Sequence, residues 1–252
     1  MERPTALRQP TELFITLVLA TLLLPTPSQS CPRGLSVAID IGHSRAAPGA
    51  ISATGKTEYE FNKRFAEELM ERSKASQLLK LVPLVTSGKD LDLLKRADLA
   101  AEKSSDIFLS IHHDHVNKKY LKVWEYNGRK LEYSDTFRGF SIFVWEQGRH
   151  FDESIALASL IGRRLTSSGV SPTMHHAEQI PGENRKLLSR DFGVYSAPFA
   201  VLRRARMPAL LLEVGVIANR AEERMLEEAH YRYKIQDVVL VGFSEYCWKR
   251  QI

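Results

Sequence analysis

Three short apolar runs constrain what this chain can fold into. Leu35 to Asp40, Ile107 to Ile111 and Pro208 to Val214 are built from residues that suit strands buried inside a sheet. Between them the hydrophobic period changes to that of helices. Thr57-Glu58-Tyr59-Glu60 has the form of a capping box, followed by Phe61, Phe65 and Leu69 at helical spacing, which puts Glu58 in the first helical turn. Leu91 to Lys103 reads as a second helix with Leu94, Ala97 and Ala101 on one face, and Ser154 to Leu165 as a third. Leu79 to Thr86 and Gly139 to Trp145 add two strands. A last helical stretch runs from Glu222 to Trp248 behind an N-cap at Asn219, with Gly242 as its expected interruption. Strands alternating with helices predict one α/β domain, with a mixed, mostly parallel sheet and helices on both faces.

Residues 116–138 break the alternation. Tyr120 to Tyr126 and Arg129 to Tyr133 flank Asn127-Gly128, the strongest short hairpin signal, and predict a β-hairpin insertion. It carries Lys118, Lys119, Lys122, Arg129 and Lys130 beside Tyr120, Trp124 and Tyr126. Two readings stay open for it: a basic, aromatic surface for an anionic polymer, or a solvated hairpin whose aromatics pack across the strands.

The 252 residues also contain an uncharged apolar run, Leu13 to Leu24, preceded by Arg3 and Arg8 and followed by Pro25 to Ser30. That order predicts a signal peptide over residues 1–30, removed to leave a domain over 31–252. The run is short against the about 20 residues of a bilayer span, so no stable membrane span is expected. The formal net charge of +5 favours anionic partners, and export argues against nucleic acid. An oxidising compartment permits a disulfide between the two cysteines, Cys31 and Cys247, with lipid attachment at Cys31 as the competing reading.

The ends of the predicted elements carry the chemistry. His43 follows the first run, Glu58 opens a helix, His112 follows Ile107 to Ile111, and Glu213 stands near the end of Pro208 to Val214. Strand C-terminal ends of a parallel sheet share one edge, where residues far apart in sequence can meet. Two imidazoles and a carboxylate form a catalytic zinc set with a position left open for water. Each residue has a plainer reading as well: the histidines as structural or surface groups, Glu58 as a carboxylate on a helix dipole.

Four segments carry a resemblance: Val37 to His43, Glu58 to Asn62, Ser110 to His112, and Pro208 to Asn219. In order and separation they resemble the motif blocks of the zinc-dependent N-acetylmuramoyl-L-alanine amidases, the branch that includes periplasmic septum-splitting and spore-wall enzymes. The resemblance implies that one zinc ion is bound by His43, Glu58 and His112 and that Glu213 is the catalytic carboxylate. It implies hydrolysis of the amide between the lactyl group of N-acetylmuramic acid and L-alanine in peptidoglycan, by an exported, periplasmic or extracellular enzyme. Zinc there would make an activated water available at neutral pH. Peptidoglycan is the expected partner of a single copy of the chain, and no activator-docking motif is recognisable. A metallopeptidase acting on the stem peptide and an inactive wall-binding protein are the alternatives.

The chain departs from the family pattern in two places. His113-Asp114-His115 stands where a small residue and Asn usually follow the third block, and Ser44-Arg45 replaces the usual second glycine after His43. His113 and His115 are expected in an exposed loop, with Asp114 or His113 as a possible partner orienting a ligand. Arg96 matches an arginine usual in the family, although a surface ion pair explains it equally well. Met174 to Arg190, with His175, His176, Glu178 and Glu183, is expected to be an exposed connection, and its rival role is to send Glu178 or a neighbour to the site.

Overall fold

A computed structural model describes residues 34–84 and 92–249. In chain order the elements are β1 (Leu35–Ile41), α1 (Glu58–Ser73), β2 (Leu79–Pro83), α2 (Leu93–Glu102) and β3 (Ile107–Asp114). Then come β4 (Lys122–Tyr126), β5 (Arg129–Tyr133), β6 (Ser141–Val144), α3 (Phe151–Ser167), β7 (Lys186–Ser189) and β8 (Val194–Ser196). The chain continues through α4 (Ala200–Arg204), β9 (Ala209–Val216), α5 (Arg220–Glu227) and α6 (Ala229–Lys249). Seven strands form one sheet in the order β2-β1-β3-β9-β6-β8-β7. From β2 to β9 all neighbours are parallel, β6 and β8 are parallel to each other, and β6 against β9 and β7 against β8 are antiparallel. The mixed, mostly parallel α/β fold read from the sequence is the one observed.

The apolar runs are strands because both of their faces are covered. Val37 and Ile39 of β1 pack with Phe61 and Phe65 of α1 and with Ile235, Val239 and Phe243 of α6. Ala38, between them, joins the opposite cluster with Ala100 of α2 and Val201 and Leu202 of α4. In β9, Leu210 and Leu212 face the first cluster and Ala209 and Leu211 the second. Phe65 is fully buried, so truncating it to Ala would cost about 3–5 kcal/mol.

Helix α1 begins where its capping box dictates. The Thr57 amide donates to Glu60 Oε2 at 2.7 Å and the Glu60 amide to Thr57 Oγ1 at 3.3 Å. Asn219 likewise caps α5, accepting from the amides of Ala221 and Glu222. Glu222 does not complete a box there: it is buried and accepts from the amides of Gly139 and Val216.

Three details depart from the sequence expectations. The final helical stretch breaks at Glu228, whose backbone is extended, and not at Gly242. A Cβ on Gly242 would stand 2.7 Å from Ile161 Cγ1, so this glycine lets α3 and α6 approach closely inside an unbroken helix. On α2 the buried residues are Arg96, Ala97 and Ala100, while Leu94 is exposed, so the inward face is rotated from the one expected. β7, β8 and α4 are three to five residues each, too short for a period to register. Of the expected disulfide pair, Cys247 is buried on α6, and Cys31 lies outside the described residues, as does the expected signal peptide.

The hairpin forms as its turn predicts, with Asn127 and Gly128 both at positive φ. Its aromatics pack within the domain. Trp124 stacks on Tyr126, its Nε1 donates to the Ala53 carbonyl at 2.8 Å, and the Arg220 guanidinium lies 3.9 Å from the centre of the Tyr133 ring.

Candidate metal centre

His43, Glu58 and His112 converge at the C-terminal edge of the sheet. β1 and β3 are adjacent and parallel, so both end there, and the capping box brings the first turn of α1 to the same edge. Glu58 bridges the two imidazoles, with Oε2 2.9 Å from His43 Nε2 and Oε1 2.8 Å from His112 Nδ1. The donor atoms of the three lie within 4.8 Å of one another. Burial raises the Glu58 carboxyl, but the hydrogen bonds to His112 and His43 outweigh it and hold the group well below the usual carboxylate range. The Ala50 amide and Asn62 Nδ2 also donate to this carboxylate, at 3.2 Å each.

The set fits a metal by its donors and by the space kept for them. A Cβ on Gly42 would lie 2.5 Å from His112 Nε2, and one on Gly49 2.5 Å from Glu58 Oε2. Only backbone without side chains lets the ligands sit where they do. His43 has a φ of +65°, a left-handed conformation that costs a residue with a side chain roughly 1–2 kcal/mol.

A buried ion pair holds that strained segment. Arg96 donates to Asp40 Oδ1 at 2.9 Å, to the Ile41 carbonyl at 2.6 Å and to the His43 carbonyl at 2.9 Å. Ser110 Oγ satisfies Asp40 Oδ2 at 2.7 Å. Arg96 is therefore not the surface residue that a helix-face ion pair would need.

Glu213 is paired in register with His112 across β3 and β9. Beyond this pair the register shifts: two residue steps along β3, from His112 to Asp114, span three along β9, from Glu213 to Val216. Such a bulge re-aims the side chains beside it. Glu213 Oε2 is sealed from solvent with no hydrogen-bond partner. Burial, then the nearby charges of Asp114 and Glu58, push its carboxyl well up. His43, Glu58, His112 and Glu213 line one cavity of about 340 Å³ with Asp40 and Arg96, and its apolar wall is Leu93, Phe199, Val201 and Leu211. A cleft of about 500 Å³ beside α3 and α6 has none of the three ligand residues and no Glu213 in its walls.

The model of the N-acetylmuramoyl-L-alanine amidase family Amidase_3 matches residues 37–244, most of the chain and every residue just described. The chain belongs to this family. Among its relatives, the uncharacterized protein YqiI of Bacillus subtilis is 27% identical over 90% of this chain and 93% of its own length. The B. subtilis N-acetylmuramoyl-L-alanine amidase LytC is also 27% identical, over 84% of this chain but only 36% of LytC. The chain thus spans about a third of that relative. Among solved structures, an N-acetylmuramoyl-L-alanine amidase of Clostridium difficile 630 superposes with a TM-score of 0.65 at 24% identity, over 84% of this chain and 96% of that one. The amidase Ami1 of Mycobacterium smegmatis reaches 0.67 at 17% identity, over 86% and 98%. At these identities the structures attest the amidase fold.

Placed in this amidase fold, the remaining candidates divide. His113 is buried and not in an exposed loop: its ring packs against Phe61 and Phe65, and its Nδ1 lies 2.8 Å from Asn62 Oδ1. Burial pushes this imidazole down to about 3, so it is neutral at neutral pH and stiffens the Asn62 that steadies Glu58. Asp114 is buried and lines the cavity, and both His175 and His176 of the 174–190 segment meet it. That segment is no exposed connection at its start, where residues 175–177 form a turn of 3₁₀ helix. Glu178 does not reach the cavity, because its carboxylate is engaged by the Tyr120 hydroxyl and by Lys119 at 3.4 Å. Asp40 and Asn62 went unmarked in the sequence, although each lies within a motif block, and only their contacts reveal what they hold in place.

Proposed function

We propose that this amidase hydrolyses the amide bond between the lactyl group of N-acetylmuramic acid and the L-alanine of the stem peptide, with zinc held by His43, Glu58 and His112 and Glu213 as general base. The observation that carries the reading is the pairing of two kinds of carboxylate in one cavity: Glu58, bridging two imidazoles, and Glu213, with a sealed oxygen that nothing engages. A zinc ion in a two-histidine, one-glutamate set lowers the pKa of a bound water to about 7 and polarises a carbonyl. Glu213 supplies the proton traffic. Its unpartnered Oε2 would take a proton from an attacking water and return it to the departing amine of alanine. Phe199, Val201 and Leu211 give the cavity an apolar wall, beside which charge interactions are stronger than in water. The substrate lies outside the cytoplasm, which accords with the export signal read over residues 1–30 from its basic, apolar and small-residue order. No helix of the described residues is long and apolar enough to cross a membrane.

The test is Glu213→Gln on purified sacculi. Muropeptide release should fall by two or more orders of magnitude while bound zinc is retained, and chelation of the wild-type protein should abolish release until zinc is restored. Near-normal release by Glu213→Gln would sink the role given to it. Mass spectrometry of the products decides the bond. Ends cut within the stem peptide would establish the metallopeptidase instead, and wall binding with no released ends would establish a binder.

A further inference from the structure

Besides the centre at His43, the described residues hold a second group of metal-capable side chains that the mechanism above leaves unused: Asp114, His175 and His176, whose donor atoms also lie within 4.8 Å of one another. We propose that these three side chains bind a second divalent transition-metal ion of the zinc class.

The donors are aimed by their surroundings. Asp114 Oδ1 accepts from the His115 amide at 2.8 Å, which leaves Oδ2 to the two imidazoles. His176 Nε2 is 2.7 Å from Oδ2 and His175 Nε2 is 3.4 Å from it. Successive residues of a single 3₁₀ turn thus present the same ring atom to the same oxygen, with their ring centres 4.0 Å apart. His175 Nδ1 lies 2.8 Å from Oγ1 of the buried Thr173. When Nδ1–H donates there, the Nε2 lone pair is free to face Asp114, the usual way a ligating histidine is oriented. Four-coordinate zinc with bonds of 2.0–2.2 Å keeps its ligand atoms roughly 3.3 Å apart. The 3.4 Å distance already fits, and the 2.7 Å one would lengthen by about 0.6 Å.

The group repeats the form of the first centre, where one carboxylate also stands between two imidazole nitrogens at hydrogen-bond distance. Two imidazoles with one carboxylate select zinc, cobalt or nickel over magnesium or calcium. Access is open, since Asp114 lines the cavity and His176 is partly exposed, while Phe143 and Tyr195 pack on the His176 ring and keep its position. The competing arrangement is a plain hydrogen-bonded cluster in which His175 Nε2–H donates to Asp114 and to the His115 carbonyl 3.2 Å away. Metal binding decides between the two tautomers.

The experiment counts metal on the full chain, without a histidine tag. Metal-stripped protein is loaded with Zn²⁺, desalted and measured by elemental analysis, and Co²⁺ loading is followed in parallel through its visible absorption. The wild type should hold two equivalents, His176→Gln one and His43→Gln one, with thermal melts confirming that both variants fold. One equivalent in the folded wild type, lost with His43→Gln and kept by His176→Gln, would overturn the proposal. So would two equivalents retained by His176→Gln. Loss with His176→Gln but none with His43→Gln would support this second site while sinking the reading of the first.

Discussion

Arg96→Met isolates the device that holds His43. The side chains of Arg96 and Asp40 are only 6% and 2% exposed, so the substitution leaves Asp40 buried with Ser110 as its remaining donor and removes a donor from the carbonyls of Ile41 and His43. Removing one member of a buried ion pair costs about 3–5 kcal/mol. For a domain of this size 1 kcal/mol shifts the melting temperature by about 2–4 °C, so Arg96→Met should melt roughly 6–20 °C lower. A second consequence is local. His43 sits at a φ of +65° with its carbonyl tied to Arg96, and without that tie the strain relaxes by turning the imidazole away. Metal affinity should then fall about 10- to 100-fold, the usual effect of losing a group that orients a ligand. Urea denaturation of the metal-free protein reads the first effect and competition with a chromophoric chelator the second. Asp40→Asn combined with Arg96→Met should cost less than the sum of the two single changes, because the double variant buries no lone charge. Strict additivity, or a loss below about 1 kcal/mol with unchanged metal affinity, would refute the argument.

Two further outcomes follow from the same geometry. Gly42→Ala places a methyl 2.5 Å from the His112 ring, so metal affinity measured by chelator competition should drop by about 10-fold or more while the far-UV circular dichroism is unchanged. Glu227 is held down to about 2, chiefly by hydrogen bonds from Arg64, at 2.7 and 2.8 Å. Its folded pKa lies below its unfolded one near 4.5, so its stabilisation is present above pH 4.5 and lost as pH falls through about 2. The pair is partly solvated, and Glu227→Gln should cost about 1 kcal/mol at pH 7 and nothing at pH 2 in urea titrations.

What the sequence revealed and what it concealed have one physical origin. Strand ends and helix caps are local signals: the apolar runs ending in His43, His112 and Glu213, and the capping box at Thr57, each declare where a side chain will stand. A parallel sheet then converts those separate statements into one site, because its strand ends share an edge. The environment of each residue is not local. His113 follows a ligand in sequence and reads as the start of a polar loop, yet β3 continues to Asp114 and α1 covers it, so the ring is core. Arg96 lies on a helix whose face could not be fixed from Leu94, Ala97 and Ala101, and its burial depends on the Asp40 carboxylate one element away.

The segment that begins at Met174 was the least legible, and the reason bears on the second cluster. Gly, Pro and Asn mark it as a connection, and they do so correctly from Pro181 to Asn184, where most residues are exposed. At its start, however, Thr173 is buried and its carbonyl accepts from the Tyr195 hydroxyl at 2.8 Å, which pins the turn carrying His175 and His176 over the end of β3. No periodicity announces such a turn, because its position is set by a strand that follows it by some twenty residues. The same contact explains why Asp114 has imidazole partners at all. An acid placed beside Glu213 and Glu58 adds negative charge to a desolvated edge, and that edge needs compensation. An imidazolium paired with Asp114 would supply that compensation as an ordinary ion pair, and a divalent ion shared among the three side chains would supply it without a proton.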